Sequence, residues 1–232
     1  DISDATDKQR PDGTDVMNSR RTDLYQLFEV EPKEREKGVA VEQAQAAVFQ
    51  PLELGADAIP ELINWFPEAM AAGVTLITLP ELFHLEDGEV KDVSQAANQS
   101  TQMVEQIASA LVNQSADLLV ATTIVEQRDD RVQHCGVLIS QHGVILQQSQ
   151  LHESGRHPWV TQLGEAVHTF DAPWGRVGLV VGNDAIYPET FRLLVLQDCE
   201  AVAVSTKILE MWEGKLGLLE RSAENRMNLV VG

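Results

Sequence analysis

Cysteine is scarce in this chain: among 232 residues only Cys135 and Cys199 carry a thiol, and they lie far apart. That excludes a disulfide framework and a cysteine-based metal cluster, and both residues read as small buried apolar groups. Positive charge is scarce too. Lysine and arginine number 17 against 36 acidic residues, a formal charge of −19. Such a surface repels phosphate backbones and anionic lipid, so nucleic acid and membrane surfaces are poor partners. No stretch approaches the roughly 20 consecutive apolar residues needed to span a bilayer, and the first residues are polar and charged, unlike a signal peptide. These absences describe a soluble, cytoplasmic, acidic protein. The sequence starts at Asp1 without a methionine, so a larger parent protein is expected, with other domains as candidate partners.

What is present divides into two regions. Residues 1–37 are rich in Asp, Glu, Lys, Arg and Gln, with one apolar patch at Leu24, Tyr25, Leu27, Phe28 and Val30. This charged leader or linker cannot form its own core; it is either disordered or docked through the patch as a short helix. Residues 38–232 alternate strand-like apolar runs with helically periodic segments, the pattern of a layered α/β domain. Strands are expected at 46–50, 74–79, 118–125, 137–140, 144–147, 167–170, 176–181, 201–205 and 229–231. Helices are expected through Ile59, Leu62, Ile63, Phe66 and Met70, with Gly73 as the stop, and at 93–112, 190–197 and 212–225. The polar connection Gln141-His142-Gly143 reads as a hairpin turn, so antiparallel pairing is mixed with strand-helix-strand units.

Several segments carry a family pattern in order. Gln50-Pro51 ends the first strand, Leu79-Pro80-Glu81-Leu82-Phe83 follows a buried strand, and Trp174-Gly175-Arg176-Val177-Gly178 opens another. Asp184, Tyr187-Pro188-Glu189 and Ala223-Glu224-Asn225 come next. Order, spacing and strand context together resemble the nitrilase, or carbon-nitrogen hydrolase, family over about residues 44–231. The resemblance implies a four-layer α-β-β-α sandwich with two mixed sheets and a site at strand ends. It also implies a domain cut short at its C-terminal end, since family members continue into further strands, and a homodimer formed through residues 188–197 and 212–225.

The family's chemistry uses a thiolate that attacks the amide or nitrile carbon, a glutamate that moves the proton and a lysine that stabilises the developing charge. Glu81 matches the glutamate. Gln150 falls at the lysine position, and Gly182, in Val180-Val181-Gly182-Asn183-Asp184, falls at the cysteine position. Two of three catalytic groups are therefore replaced. Losing an activated nucleophile can cost about 10⁶ in rate, so amidase activity near background is expected. Phe83, His152, Glu153, Asn183, Asp184 and Tyr187 are implied as binding residues around the site, with Asp184 and Glu189 as hydrogen-bonding supports of its turn.

Other constellations are weaker. His84, Glu86, His152, Glu153 and His157 are a conceivable metal set, but Gly155 and Pro158 make the 152–157 segment a loop without helical ligand spacing. No metal and no cofactor are expected. Ser149 has no adjacent base in sequence. Trp159, Trp174 and Trp212 read as packing residues. Two function classes remain: a non-catalytic module binding a small amide, amine or carboxylate or a partner protein, and a carbon-nitrogen hydrolase in which Glu81 activates water directly.

Overall fold

The computed structural model describes residues 44–112, 114 and 118–232. The leader and its apolar patch lie outside the described residues.

β1 (Gln45–Val48), β2 (Val74–Thr78) and β3 (Leu119–Arg128) are parallel, and β4 (Arg131–Ser140) and β5 (Gly143–Ser149) continue the sheet antiparallel, in the order β1-β2-β3-β4-β5. The second sheet runs β6 (Thr169–Ala172), β7 (Gly175–Val181), β8 (Ala201–Ser205), β9 (Asn228–Val231), with β6 antiparallel to β7 and the rest parallel. Both sheets are mixed, as expected.

α1 (Ala58–Ala71) and α2 (Val93–Val112) cover the first sheet. Their buried residues, such as Leu62, Phe66 and Ala69 or Met103, Ile107 and Leu111, recur three or four apart and meet Ile77, Val120 and Val137 in one apolar cluster. Gly73 stops α1 at φ +81, and its N–H returns to the Met70 carbonyl at 2.9 Å. α3 (Pro188–Leu196), with Pro188 opening its first turn, covers the second sheet through Phe191 and Leu194, and Leu218, just ahead of α4 (Leu219–Asn225), joins them in one apolar cluster with Val180, Val202 and Val204. The expected helix at 212–225 is broken in two by a π-helical stretch, Glu213–Leu218, ahead of α4.

Between the sheets, Leu76, Ala121 and Leu138 face Val177, Leu179 and Ala203 in a separate apolar layer. The approach is close: a Cβ on Gly136 would stand 2.9 Å from Val181 Cγ2. Helices outside and two sheets inside give the four layers.

One junction differs from the sequence expectation. The charged run Arg128-Asp129-Asp130-Arg131 closes a long β3–β4 hairpin, with Arg128 paired to Arg131 and Asp129 at φ +54. The strand following it begins at Arg131, six residues before the expected start at 137. Asp tolerates the left-handed conformation, so this two-residue turn needs no glycine. The added residues include His134. Among the described residues no helix is long and apolar enough to cross a membrane.

Candidate functional site

The carboxyl ends of β2, β7 and β8 open at the same rim of the sandwich, where ligand sites of α/β sheets form. Just after β2, Leu82 takes a left-handed φ of +48, and its N–H donates to Thr123 Oγ1 at 2.8 Å. This turn aims the preceding Glu81 inward. Only 8% of Glu81 is exposed, and Oε2 accepts the backbone N–H of Lys207, beyond β8, at 2.6 Å.

β4 and β5 bring a second pair. Cys135 lies opposite Ser149, so the next pair along the ladder is His134 and Gln150, and Gln150 N–H donates to the His134 carbonyl at 2.8 Å. Directly opposed side chains share a face. Gln150 Oε1 accepts from His134 Nδ1 at 3.0 Å and from His157 Nδ1 at 2.8 Å, while its Nε2 donates to the His152 carbonyl at 2.7 Å. His134 Nε2 and His157 Nε2 then converge on Glu81 Oε1, at 3.7 and 2.6 Å. Trp159 lies edge-on to both imidazoles, with ring centroids 5.4 and 5.6 Å away.

Gly182 closes the group from below. It sits at φ +49 where β7 gives way to the 3₁₀ turn Gly182–Ile186, and a Cβ there would meet Glu81 Oε1 at 2.6 Å, His157 Cε1 at 2.8 Å and His134 Cε1 at 2.9 Å. Only glycine combines that φ with such an approach.

Burial opposes ionisation of Glu81, but the close contact with His157, the neighbouring His134 ring and the Lys207 N–H outweigh it and hold the carboxyl below the usual range. Burial pushes His134 down to about 4, so its ring is neutral near pH 7. Two cavities flank His157. One, of about 450 Å³, is bordered by Glu81, Glu89, Arg156, Trp159 and Lys207; the other, of about 530 Å³, by Gln150, Glu153 and Val160.

The other candidates separate. Asp184 is buried beside the cluster and accepts from Leu151 N–H at 2.7 Å, His152 N–H at 3.0 Å and His152 Nδ1 at 2.9 Å. Tyr187 stacks on His152 at 3.9 Å. These residues hold the turn, and Asn183 is buried within it. Glu153 is exposed at the mouth of the larger cavity. Phe83 does not reach the site: it is fully buried in the apolar cluster beneath α1 and α2. His84 turns to Ser100 Oγ at 2.9 Å, and Glu86 pairs with Lys91 at the surface, so of the metal set considered from sequence only His157 lies in the cluster. Ser149 and Cys135 contact each other at 3.6 Å on the opposite face of the ladder from Gln150. Burial raises the thiols to about 11 at Cys135 and about 12 at Cys199. His134 is not legible as a site residue in the sequence, because the strand that carries it begins at Arg131, ahead of the expected start at 137.

The sequence model of carbon-nitrogen hydrolases matches residues 17–228. The chain belongs to the carbon-nitrogen hydrolase family. An amidase from Nesterenkonia sp. has a similar fold, with a TM-score of 0.71 at 16% identity over 84% of this chain and 78% of that one. A cysteine-to-alanine mutant of the Nesterenkonia AN1 amidase, described as from the nitrilase superfamily, superposes with a TM-score of 0.72 at 16% identity over the same shares. A structure of such a mutant in complex with butyramide gives 0.69 at 18% identity, over 82% of this chain and 76% of that one. No curated protein sequence matches this chain. At these identities the likeness speaks for the fold, and the carbon-nitrogen hydrolase architecture is the frame in which Glu81, Gln150 and Gly182 sit.

Proposed function

We propose that this carbon-nitrogen hydrolase domain has lost the thiol-dependent reaction and works as a binding or regulatory module of a larger protein. One observation carries the reading. At the position the family resemblance assigns to the nucleophile stands Gly182, and the volume a cysteine side chain would take is held by Glu81, His134 and His157. A thioester cannot form without the sulfur, and neither Cys135 nor Cys199 lies at this rim in ionisable form. Gln150 supplies no positive charge where the lysine is expected, and its amide is committed to both imidazoles and a backbone carbonyl.

The ligand class is a small amide, amine or carboxylate, received in the space of about 450 Å³ beside Glu81. Carboxylate and cationic groups share its wall. That open space also favours the second reading, hydrolysis of a carbon-nitrogen bond with Glu81 activating water. The two separate in one assay. The purified chain is incubated with a panel of short amides and nitriles, and ammonia is followed. Release at background, unchanged in Glu81→Ala, supports the module; release that Glu81→Ala abolishes overturns it.

A homodimer accompanies this reading. Leu193 on α3, Trp212 and Leu216 around the π-helical stretch and Leu219 on α4 are exposed, an apolar face on the two segments expected to associate. Sedimentation at tens of micromolar should give a dimer; a clean monomer would dismiss that expectation.

A further inference from the structure

Three potential ligand atoms point at one another in the cluster above Gly182. Gln150 fixes this. Its amide is oriented by the 2.7 Å donation from Nε2 to the His152 carbonyl, so the atom facing both histidines is Oε1, which only accepts. Contacts of 3.0 and 2.8 Å therefore place a proton on Nδ1 of His134 and on Nδ1 of His157. A neutral ring of that tautomer presents a bare lone pair at Nε2, and both Nε2 atoms face the carboxylate oxygen Glu81 Oε1. Among the described residues neither His134 Nε2 nor Glu81 Oε1 has a hydrogen-bond partner, although His134 is fully buried and Glu81 nearly so. Acceptors left facing one another without water are costly unless a cation lies between them.

We infer that Glu81, His134 and His157 form a binding site for one divalent transition-metal ion of the zinc class. The three ligand atoms lie within 4.8 Å of one another. A tetrahedral zinc with bonds of about 2.0–2.1 Å separates its ligand atoms by about 3.3 Å, so the 3.7 and 2.6 Å spacings need shifts of only about 0.4–0.7 Å. Two imidazole nitrogens and one carboxylate oxygen suit zinc, and they disfavour magnesium and calcium, which take oxygen. Metal-bound histidines almost always pass their second ring N–H to an acceptor that fixes the tautomer, and here one amide oxygen does so for both. Three protein ligands leave a fourth position free, and the cavity of about 450 Å³, which touches both Glu81 and His157, gives ion and ligand a way in.

The same geometry explains why the glycine and the cluster occur together. A Cβ at 182 would press on the carboxylate and both imidazoles, so a side chain at that position and the three-ligand set exclude each other. The site stands independently of whether the domain binds an organic molecule, and it assigns no reaction to the ion.

The competing account places a second proton on His157 and an ion pair with Glu81 in the metal's stead, and zinc uptake separates the two. The chain is stripped with a chelator, titrated with zinc chloride in a calorimeter, gel-filtered and analysed for metal. The expected result is about one zinc per chain. Glu81→Gln and His157→Asn, each checked for folding by circular dichroism, should weaken binding at least tenfold, and loss of the orienting amide in Gln150→Leu should cost about 10- to 100-fold. X-ray absorption on the zinc-loaded wild type, which needs no variant, should show a nitrogen and oxygen shell with two imidazoles and no sulfur. Wild type that takes up no zinc at 100 micromolar would overturn the inference, as would zinc retained unchanged in Glu81→Gln or a shell containing sulfur. None of these results bears on the ammonia assay, so failure here leaves the loss of the thiol reaction standing.

Discussion

Two buried carboxylate-histidine groupings lie on either side of Gly182, and they are built oppositely. Asp184 meets His152 with donors on every side: two backbone N–H groups and an imidazole nitrogen converge on its oxygens. Glu81 faces ring nitrogens of His134 and His157, and among the described residues its Oε1 has no hydrogen-bond partner while Oε2 accepts the Lys207 N–H. The first grouping is complete and holds a turn together. The second is unsatisfied among the described residues, which is the observation behind the proposed metal site. Burial near a catalytic motif is therefore a poor guide to role, and the count of donors against acceptors is a better one.

The contrast is easily broken. Replacing Asp184 with alanine leaves the N–H groups of Leu151 and His152 without an acceptor, and chemical denaturation should record a loss of about 2–4 kcal/mol. If that loss is small, the complete grouping is not structural. Gly182→Ala forces a Cβ into the carboxylate and both imidazoles at φ +49, and the same measurement should show a loss of about 1–3 kcal/mol. For the unsatisfied grouping the expected effect is smaller. Glu81→Gln keeps an oxygen for the Lys207 N–H and adds an amide donor for the bare imidazole nitrogens, so metal-free protein should change by less than about 1 kcal/mol, despite burial as deep as that of many core residues. A loss near that of Asp184→Ala would mean the two groupings are alike.

The smallest expected effect is none at all. Because burial holds the Cys135 and Cys199 thiols up to about 11 and 12, both keep their protons at pH 8, whereas an unfolded cysteine ionises near 8.5. The unfolded chain therefore binds fewer protons than the native one above that value, and the thiols lower stability as pH rises toward 11. Iodoacetamide at pH 8 should leave the native protein unlabelled and modify both residues in urea. Rapid native labelling would return a nucleophile to consideration.

Much of the frame was legible in the chain. The helix at 93–112 and the strand at 201–205 coincide with the observed elements, because an apolar residue every three or four positions, or an unbroken apolar run between breakers, has a single packed solution. Gly73 as a stop and Gln141-His142-Gly143 as a turn were also readable. The β3–β4 turn was not: Arg128-Asp129-Asp130-Arg131 looks like a solvated boundary, and only the ladder beyond it shows that the chain reverses there. That one junction hid His134. The π-helical stretch within 212–225 was hidden as well, since its residues keep a helical pattern.

The sequence by itself determined the layered fold, the family, and the absence of sulfur from position 182, because these depend on local periodicity and on which side chain stands at a motif position. Tertiary structure alone decided which polar groups meet. Glu81, His134, Gln150 and His157 come from four separate segments, and their convergence depends on strand register and on the turn at Leu82. A one-residue slip of register would send His134 to the other face of its sheet. The charge balance around Gly182 is thus a property of the packed sheets and not of any segment read alone.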